Sequence, residues 1–126
     1  MMDDKKVIFV EDSPTMRRII MNSLNKIGIS QVVEAENGVD ALEKIGDQDF
    51  DMVITDWNMP EMNGEELVKE LRGSSKYKDT PILMITTRGM QDDVMTAIKM
   101  GVNGYIVKPF TPEVLKKKMS EIFSAS

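Results

Sequence analysis

Residues 53 to 60 read VITDWNMP. Three strand-forming residues run into an acid, and the apolar pattern then stops at an aromatic, an amide and a proline. A carboxylate, Asp56, therefore stands where a buried strand reaches the surface. The flanking segments say what kind of strand this is. KVIFV (6 to 10), QVVEA (31 to 35), DMVIT (51 to 55), PILMIT (81 to 86) and GYIV (104 to 107) read as strands; the first, third and fourth are nearly continuous in Val, Ile, Met, Leu and Phe. Such continuity belongs to parallel strands covered on both faces. Between them lie helical patterns with clear punctuation. Ser13 and Pro14 predict an N-cap and first turn, after which Met16, Ile20, Leu24 and Ile27 recur on one face until Gly28 ends the helix. Thr111 and Pro112 repeat the device ahead of an inner stripe of Leu115, Met119 and Ile122. Helices near 37 to 46, 63 to 72 and 91 to 100 complete a strict alternation of strand and helix. With right-handed crossovers, this order predicts an α/β fold, a doubly wound, five-stranded parallel sheet with helices on both faces.

A chain of 126 residues is expected to form one domain, residues 1 to 126, with a real core and no room for a second module of ordinary size. The 21 acids against 16 bases give a net charge of −5, which argues against a nucleic-acid or anionic-membrane partner and for a protein or a cation. The absence of cysteine excludes disulfides, thiolate catalysis and zinc–thiolate sites. The absence of histidine excludes histidine-based triads, the usual metalloprotease ligands and any phosphohistidine on this chain. The opening MMDDKKVIFV lacks a long apolar segment, so a cytoplasmic location is expected.

In an open α/β sheet, ligands bind beyond the carboxyl ends of the strands, where the strand order reverses. Four of those ends carry functional groups: Glu11 and Asp12, Asp56, Thr86, and Lys108. Each residue has a plainer reading. A strand-end acid often caps a turn, Glu11 and Asp12 suit the dipole of the helix opening at Ser13, Thr86 is a β-branched strand former, and Lys108 is a loop charge. Separate explanations of that sort do not account for all five falling on one edge. Three carboxylates in one crevice repel unless a cation compensates them. Mg²⁺ prefers oxygen ligands and is commonly held by one or two carboxylates. Three carboxylates at −3, Mg²⁺ at +2 and Lys108 at +1 sum to zero.

VEDSPTMRRI (10 to 19), VITDWNMPEMNG (53 to 64), MITT (84 to 87) and GYIVKPF (104 to 110) together resemble the receiver domains of two-component response regulators, in particular those of chemotaxis. The similarity runs over essentially the whole chain. It implies a flavodoxin-like (βα)5 fold and a signalling switch that catalyses only its own phosphorylation and dephosphorylation. Asp56 would accept a phosphoryl group from the phosphohistidine of a partner histidine kinase. Asp12, Asp56 and the main-chain carbonyl of Asn58 would hold Mg²⁺, with Glu11 assisting through water. Lys108 would pair with the phosphoryl oxygens, and Thr86 would hydrogen-bond to one of them. The Lys108–Pro109 peptide is expected to be cis, aiming Lys108 inward.

The resemblance also implies an output. Thr86 moves toward the phosphoryl group and the aromatic of the fifth strand, Tyr105 here, rotates inward. That changes the face made by the helix near 91 to 100, the strand at 104 to 107 and the last helix. With the chain ending at Ser126, output is expected to run through a partner, the flagellar motor switch or another effector, with the protein a monomer and a phosphatase a further possible partner. LKKKM (115 to 119) lies on that face, as do Met90 and Met95, whose thioethers adapt to a peptide. Thr87 stands where receivers usually carry alanine, Arg88 where the best-known chemotaxis regulators carry an acid, and Glu11 where aspartate is common. Together with Asn58, Thr87 and Arg88 are expected to tune the phosphoryl lifetime and the switch. Gly64, unfavourable inside a helix, points to close packing beside Asp56. A haloacid-dehalogenase-type hydrolase would need a second acid where Asn58 stands, and a flavodoxin-like redox protein a hydroxyl- and glycine-rich phosphate loop where EDSPTM presents acids. A phosphorelay intermediate or phosphate sink, returning the group to another histidine, shares the Asp56 chemistry and remains the alternative.

Overall fold

A computed structural model of the chain describes residues 2–46 and 48–125. Strands β1 (Lys6–Val10), β2 (Gln31–Ala35), β3 (Met52–Thr55), β4 (Ile82–Thr86) and β5 (Gly104–Val107) alternate with helices α1 (Pro14–Ile27), α2 (Gly38–Ile45), α3 (Gly64–Arg72), α4 (Gln91–Met100) and α5 (Pro112–Ala125). The strands form one parallel sheet in the order β2-β1-β3-β4-β5. This is the flavodoxin-like (βα)5 architecture. Two strands open later than the apolar pattern suggested. Asp51 lies just ahead of β3, where its carboxylate accepts the Lys6 N–H at 2.8 Å. Pro81, which has no N–H to give a ladder, precedes β4 and offers only its carbonyl, to Val53 N–H at 2.9 Å.

Successive residues of a strand face opposite ways, and the inner strands use both faces. Ile8, Val10, Val53, Ile82 and Met84 pack with Ala41, Ile45, Leu67, Val68, Leu71 and Ala97 of α2, α3 and α4. Val7, Phe9, Met52, Ile54, Leu83 and Ile85 pack with Ile20, Leu24, Leu115, Met119 and Ile122 of α1 and α5. Each fully buried large side chain contributes roughly 1.5–3 kcal/mol relative to exposure, so the sheet is a stiff platform.

Local signals set the helix ends. Ser13 Oγ accepts Met16 N–H at 3.3 Å, Thr111 Oγ1 accepts Val114 N–H at 3.2 Å, and Asn63 with Glu66 forms a reciprocal capping box. Gly28, at φ 106°, closes α1 in the left-handed conformation that glycine adopts without strain. Among the described residues, no helix is long and apolar enough to cross a membrane.

The strand order locates the crevice. β1 is flanked by β2 on one side and β3 on the other, so the connections that leave the carboxyl ends of β1 and β3 run in opposite directions along the sheet. The gap between them falls between Glu11 and Asp56.

Candidate functional site

Glu11 follows β1 directly and is only 2 % exposed. Its main chain continues the sheet by donating to Ala35 O at 2.9 Å. Its side chain turns back over the start of α1, where Oε2 accepts Ser13 N–H at 3.0 Å. Arg17, one turn into α1, donates to the Glu11 carbonyl at 2.7 Å and reaches Glu34 of β2 at 3.3 Å. The acidic turn is thus tied down from both strands and from the helix.

Asp56 continues β3, its N–H donating to Val10 O at 3.1 Å. Its Oδ1 accepts the Trp57 N–H at 2.6 Å, which fixes the plane of the carboxylate. Thr55 Oγ1 donates to the Asp56 carbonyl at 2.8 Å. Behind that carbonyl the backbone of α3 comes so near that a Cβ on Gly64 would lie 2.1 Å from the Asp56 oxygen. Only glycine fits there.

Lys108, beyond β5, joins the two acids. Its Nζ donates to Glu11 Oε1 at 2.6 Å and to Asp56 Oδ2 at 2.9 Å, and its side chain is 8 % exposed. The Lys108–Pro109 peptide bond is cis, and Lys108 N–H donates to Thr86 O at 2.8 Å. Burial opposes the charge on Lys108, but the hydrogen bonds to Glu11 and Asp56 outweigh it and hold the ammonium above its ordinary pKa. Burial pushes the Glu11 carboxyl up, and the hydrogen bonds from Lys108 and Ser13 pull the other way without cancelling it.

Asp12 is exposed beside this pair, and ligand oxygens of Glu11, Asp12 and Asp56 all lie within 4.8 Å of one another. Three hard oxygen donors, with no nitrogen or sulfur ligand, suit Mg²⁺ or a related hard cation rather than zinc. The formal charge of the acids and Lys108, −3 and +1, leaves −2, which one divalent ion offsets. The cluster therefore fits the metal expected from the sequence.

The remaining expected residues are grouped about the β4 and β5 ends. Thr86 is fully buried, and its hydroxyl accepts Arg88 N–H at 3.4 Å. Thr87 and Asn58 are exposed. Tyr105 is half-buried, edge-on to Trp57 with ring centroids 6.4 Å apart, and its hydroxyl donates to the Arg88 carbonyl at 2.7 Å. The Arg88 guanidinium lies over the Trp57 ring, 4.2 Å from its centroid, and 3.9 Å from Asp93. Met90 and Met95 are exposed at the start of α4, as are Lys116 and Lys117 on α5.

Some contributors went unread in the sequence. Arg17 sits four residues past Ser13, close enough on the helix to have been suspected of serving the acids. Asp93 and the backbone of Glu61, at φ 67°, carried no such signal. A cavity of about 580 Å³ lies at the opposite end of the sheet, between the N-terminal segment and α5, and is lined by neither Glu11, Asp12 nor Asp56. The candidate site is instead the acidic cluster with Lys108 at the carboxyl ends of the strands.

The chain is similar to known proteins over most of its length. The response regulator receiver domain family matches residues 7–120. "Chemotaxis protein CheY1" of Helicobacter pylori is 54% identical over 122 residues, covering 96% of this chain and 98% of that protein. "Chemotaxis protein CheY homolog" of Campylobacter jejuni is 55% identical over 118 residues, covering 93% and 91%. Among solved structures, the chemotaxis response regulator CheY4 of Vibrio cholerae superposes with a TM-score of 0.86 at 40% identity, covering 94% of this chain and 98% of that one. Since the match takes in the acidic turn after β1, the β3 end and the lysine after β5, the chain belongs to the response regulator receiver domain family and is similar to its CheY-type chemotaxis members.

Proposed function

We propose that this protein is a phosphorylation-activated switch of chemotaxis, a single receiver unit over residues 1 to 126. Asp56 accepts a phosphoryl group from the phosphohistidine of a partner kinase, and the altered α4–β5–α5 face then binds the flagellar motor switch. One observation carries the chemistry: a buried lysine bridges Glu11 and Asp56, 97 and 52 residues away in sequence, beside a third acid. Such a cluster is electrostatically costly for a fold and is retained where charge must be handled.

Transfer exchanges the donor's P–N bond for a P–O bond at Asp56, the donor nitrogen keeping the electron pair and taking up a proton. The Trp57 N–H fixes one carboxylate oxygen while β3 and Gly64 fix the backbone, so the attacking group is presented in one orientation. Lys108 already faces the other oxygen and follows the negative charge as it moves onto the phosphoryl group. Glu11, Asp12, Asp56 and the main-chain carbonyl of Asn58 would hold Mg²⁺, which when bound neutralises the acids and the transferring group. Water attack on phosphorus later releases phosphate and resets Asp56. Asn58, Thr87 and Arg88 border this region and set the lifetime of the acyl phosphate.

The output face carries the apolar surface a partner needs. Met90, Met95, Ile98, Val107 and Val114 are large hydrophobic residues left exposed on α4, β5, α5 and the turn before α4. Thr86 and Tyr105 lie beneath it and relay the state of Asp56. The relatives' names supply the chemotaxis context; a cytoplasmic monomer acting between a kinase and its effector is part of the same proposal.

Incubation with acetyl phosphate and Mg²⁺ tests the acceptor: wild type gains a phosphoryl group, and Asp56→Asn gains none at that residue. Equal labelling of the variant overturns the assignment. Titration with a motor-switch peptide tests the output, with the beryllofluoride-activated form binding tighter by roughly 1–3 kcal/mol. Equal affinities, together with phosphoryl return to a histidine phosphotransfer protein, would instead establish the relay or sink.

A further inference from the structure

The three acids of the site are not held alike. Asp56 has one oxygen on the Trp57 N–H and the other on Lys108, and Glu11 has one on the Ser13 N–H and the other on Lys108. Asp12 is exposed, and among the described residues its carboxylate has no hydrogen-bond or ion-pair partner. Its direction is therefore set by its backbone, and the peptide that precedes it carries the Glu11 carbonyl. Arg17 Nη1 donates to that carbonyl at 2.7 Å, while its Nε stands 3.3 Å from Glu34 of β2. β2 is itself braced there: the Glu34 carbonyl accepts Lys44 Nζ from α2 at 2.8 Å, and Lys44 pairs with Asp40 at 3.1 Å. The Glu11 N–H donates to Ala35 O of the same strand at 2.9 Å. The main chain of the acidic turn is thus referred to β2 twice, directly at its N–H and through Arg17 at its carbonyl.

We propose that Arg17 is a positioning residue for the metal: by gripping the Glu11 carbonyl it fixes the plane of the Glu11–Asp12 peptide, and so holds the Asp12 carboxylate among the ligand oxygens although its own charge repels a cation. This role rests on the receiver reading above, in which the acids hold Mg²⁺. Two effects of opposite sign meet in the side chain. As a charge, a guanidinium beside the acids weakens the binding of a cation. As a brace, it spares Asp12 the ordering that the ion would otherwise have to impose, and outer partners that orient ligands commonly govern metal affinity by roughly ten- to a hundredfold. The contacts favour the brace, because Glu34 offsets the charge at 3.3 Å while the bond to the Glu11 carbonyl acts on the ligand turn itself. Arginine suits the task, since its planar fork serves the carbonyl and the carboxylate from separate nitrogens. A lysine ammonium is a point charge on a flexible stem and lacks that fixed span.

Titration of the full-length unphosphorylated protein with Mg²⁺ tests this role, read by the amide chemical shifts of residues 11 to 13 and by Trp57 fluorescence. No phosphoryl transfer is involved, so failure here is distinct from failure of Asp56 as acceptor. Arg17→Met removes the repelling charge together with the brace and should nevertheless weaken Mg²⁺ binding about tenfold. Arg17→Lys keeps the charge and changes only the geometry; it should weaken binding about threefold, and it carries the test alone if the methionine variant fails to fold. Glu34→Gln should weaken binding about twofold in the wild type and add almost nothing in the Arg17→Met background, since its effect passes through the guanidinium. Wild-type affinity in Arg17→Lys, or tighter binding by Arg17→Met, would overturn the brace and leave Arg17 as a surface ion pair. A wild type in which neither signal responds to Mg²⁺ would overturn the metal reading itself, and the role of Arg17 with it.

Discussion

Lys108 at the carboxyl end of the sheet and Arg72 at its amino end are both cations drawn into the fold, yet their partners differ in kind. Lys108 is shared between two carboxylates, with a third close by. Arg72, the last residue of α3, donates to the carbonyls of Gly101, Tyr77, Lys78 and Thr80 and to Asn103 Oδ1, at 2.8 to 3.1 Å. Asn103 Oδ1 also takes the N–H of Ile82 at 2.9 Å, so the cluster seals the ends of β4 and β5. Burial lowers the pKa of Arg72, and the charge of Asp79 only partly opposes it. Neutral carbonyls cannot change charge or ligand, so the arginine end is a permanent staple. Carboxylates can take a proton, a metal or a phosphoryl group, so the lysine end can be re-paired. On the proposed reading, function sits where the partners of a buried cation are themselves exchangeable.

Four substitutions break or sharpen this contrast. The largest effect is expected at the staple: Arg72→Met strands several carbonyls and should cost about 3 kcal/mol of stability in urea denaturation, the same with or without Mg²⁺. Next, Lys108→Met leaves the acids uncompensated and should cost about 2 kcal/mol in the presence of a chelator, much of it regained on adding Mg²⁺. If Mg²⁺ rescues both variants equally, the contrast between the two ends is lost. Asp12→Ala removes one of the mutually repelling acids and should stabilise the metal-free protein by roughly 1 kcal/mol while abolishing the response of Trp57 fluorescence to Mg²⁺. An unchanged Mg²⁺ titration would remove Asp12 from the ligand set. The smallest effect belongs to the loop beside the acceptor. Among the described residues, Glu61 is the one non-glycine with positive φ, 67°. Glu61→Gly should relieve that strain for a net gain of about 0.5 kcal/mol, after the entropy glycine adds to the unfolded chain, as a small rise in the urea midpoint.

Much of this was legible before the fold was seen, and for local reasons. A strand between two helical layers must be apolar on both faces, so KVIFV, MVIT and ILMIT declared themselves. Ser13 and Thr111 act on N–H groups three residues away, so these helix starts were visible in short windows. The places where that reading slipped, Asp51 and Pro81, are residues whose pairing depends on a neighbouring strand. Gly64 was suspicious as a glycine in a helical pattern, but the atom it makes room for, the Asp56 carbonyl, could not be named.

The sequence by itself determined the order of elements and which residue types stand at the strand ends, because periodicity, caps and turn formers are properties of neighbours along the chain. Only the tertiary structure decided that Lys108 would bridge Glu11 and Asp56, that Arg72 would gather the carbonyls of two segments, and that Arg88 would lie over Trp57 rather than in solvent. A long charged side chain reaches many partners at similar intrinsic energy. Its choice is made by which donors, acceptors and ring faces the packed sheet and helices leave within a few ångströms, and that depends on residues far away in the chain.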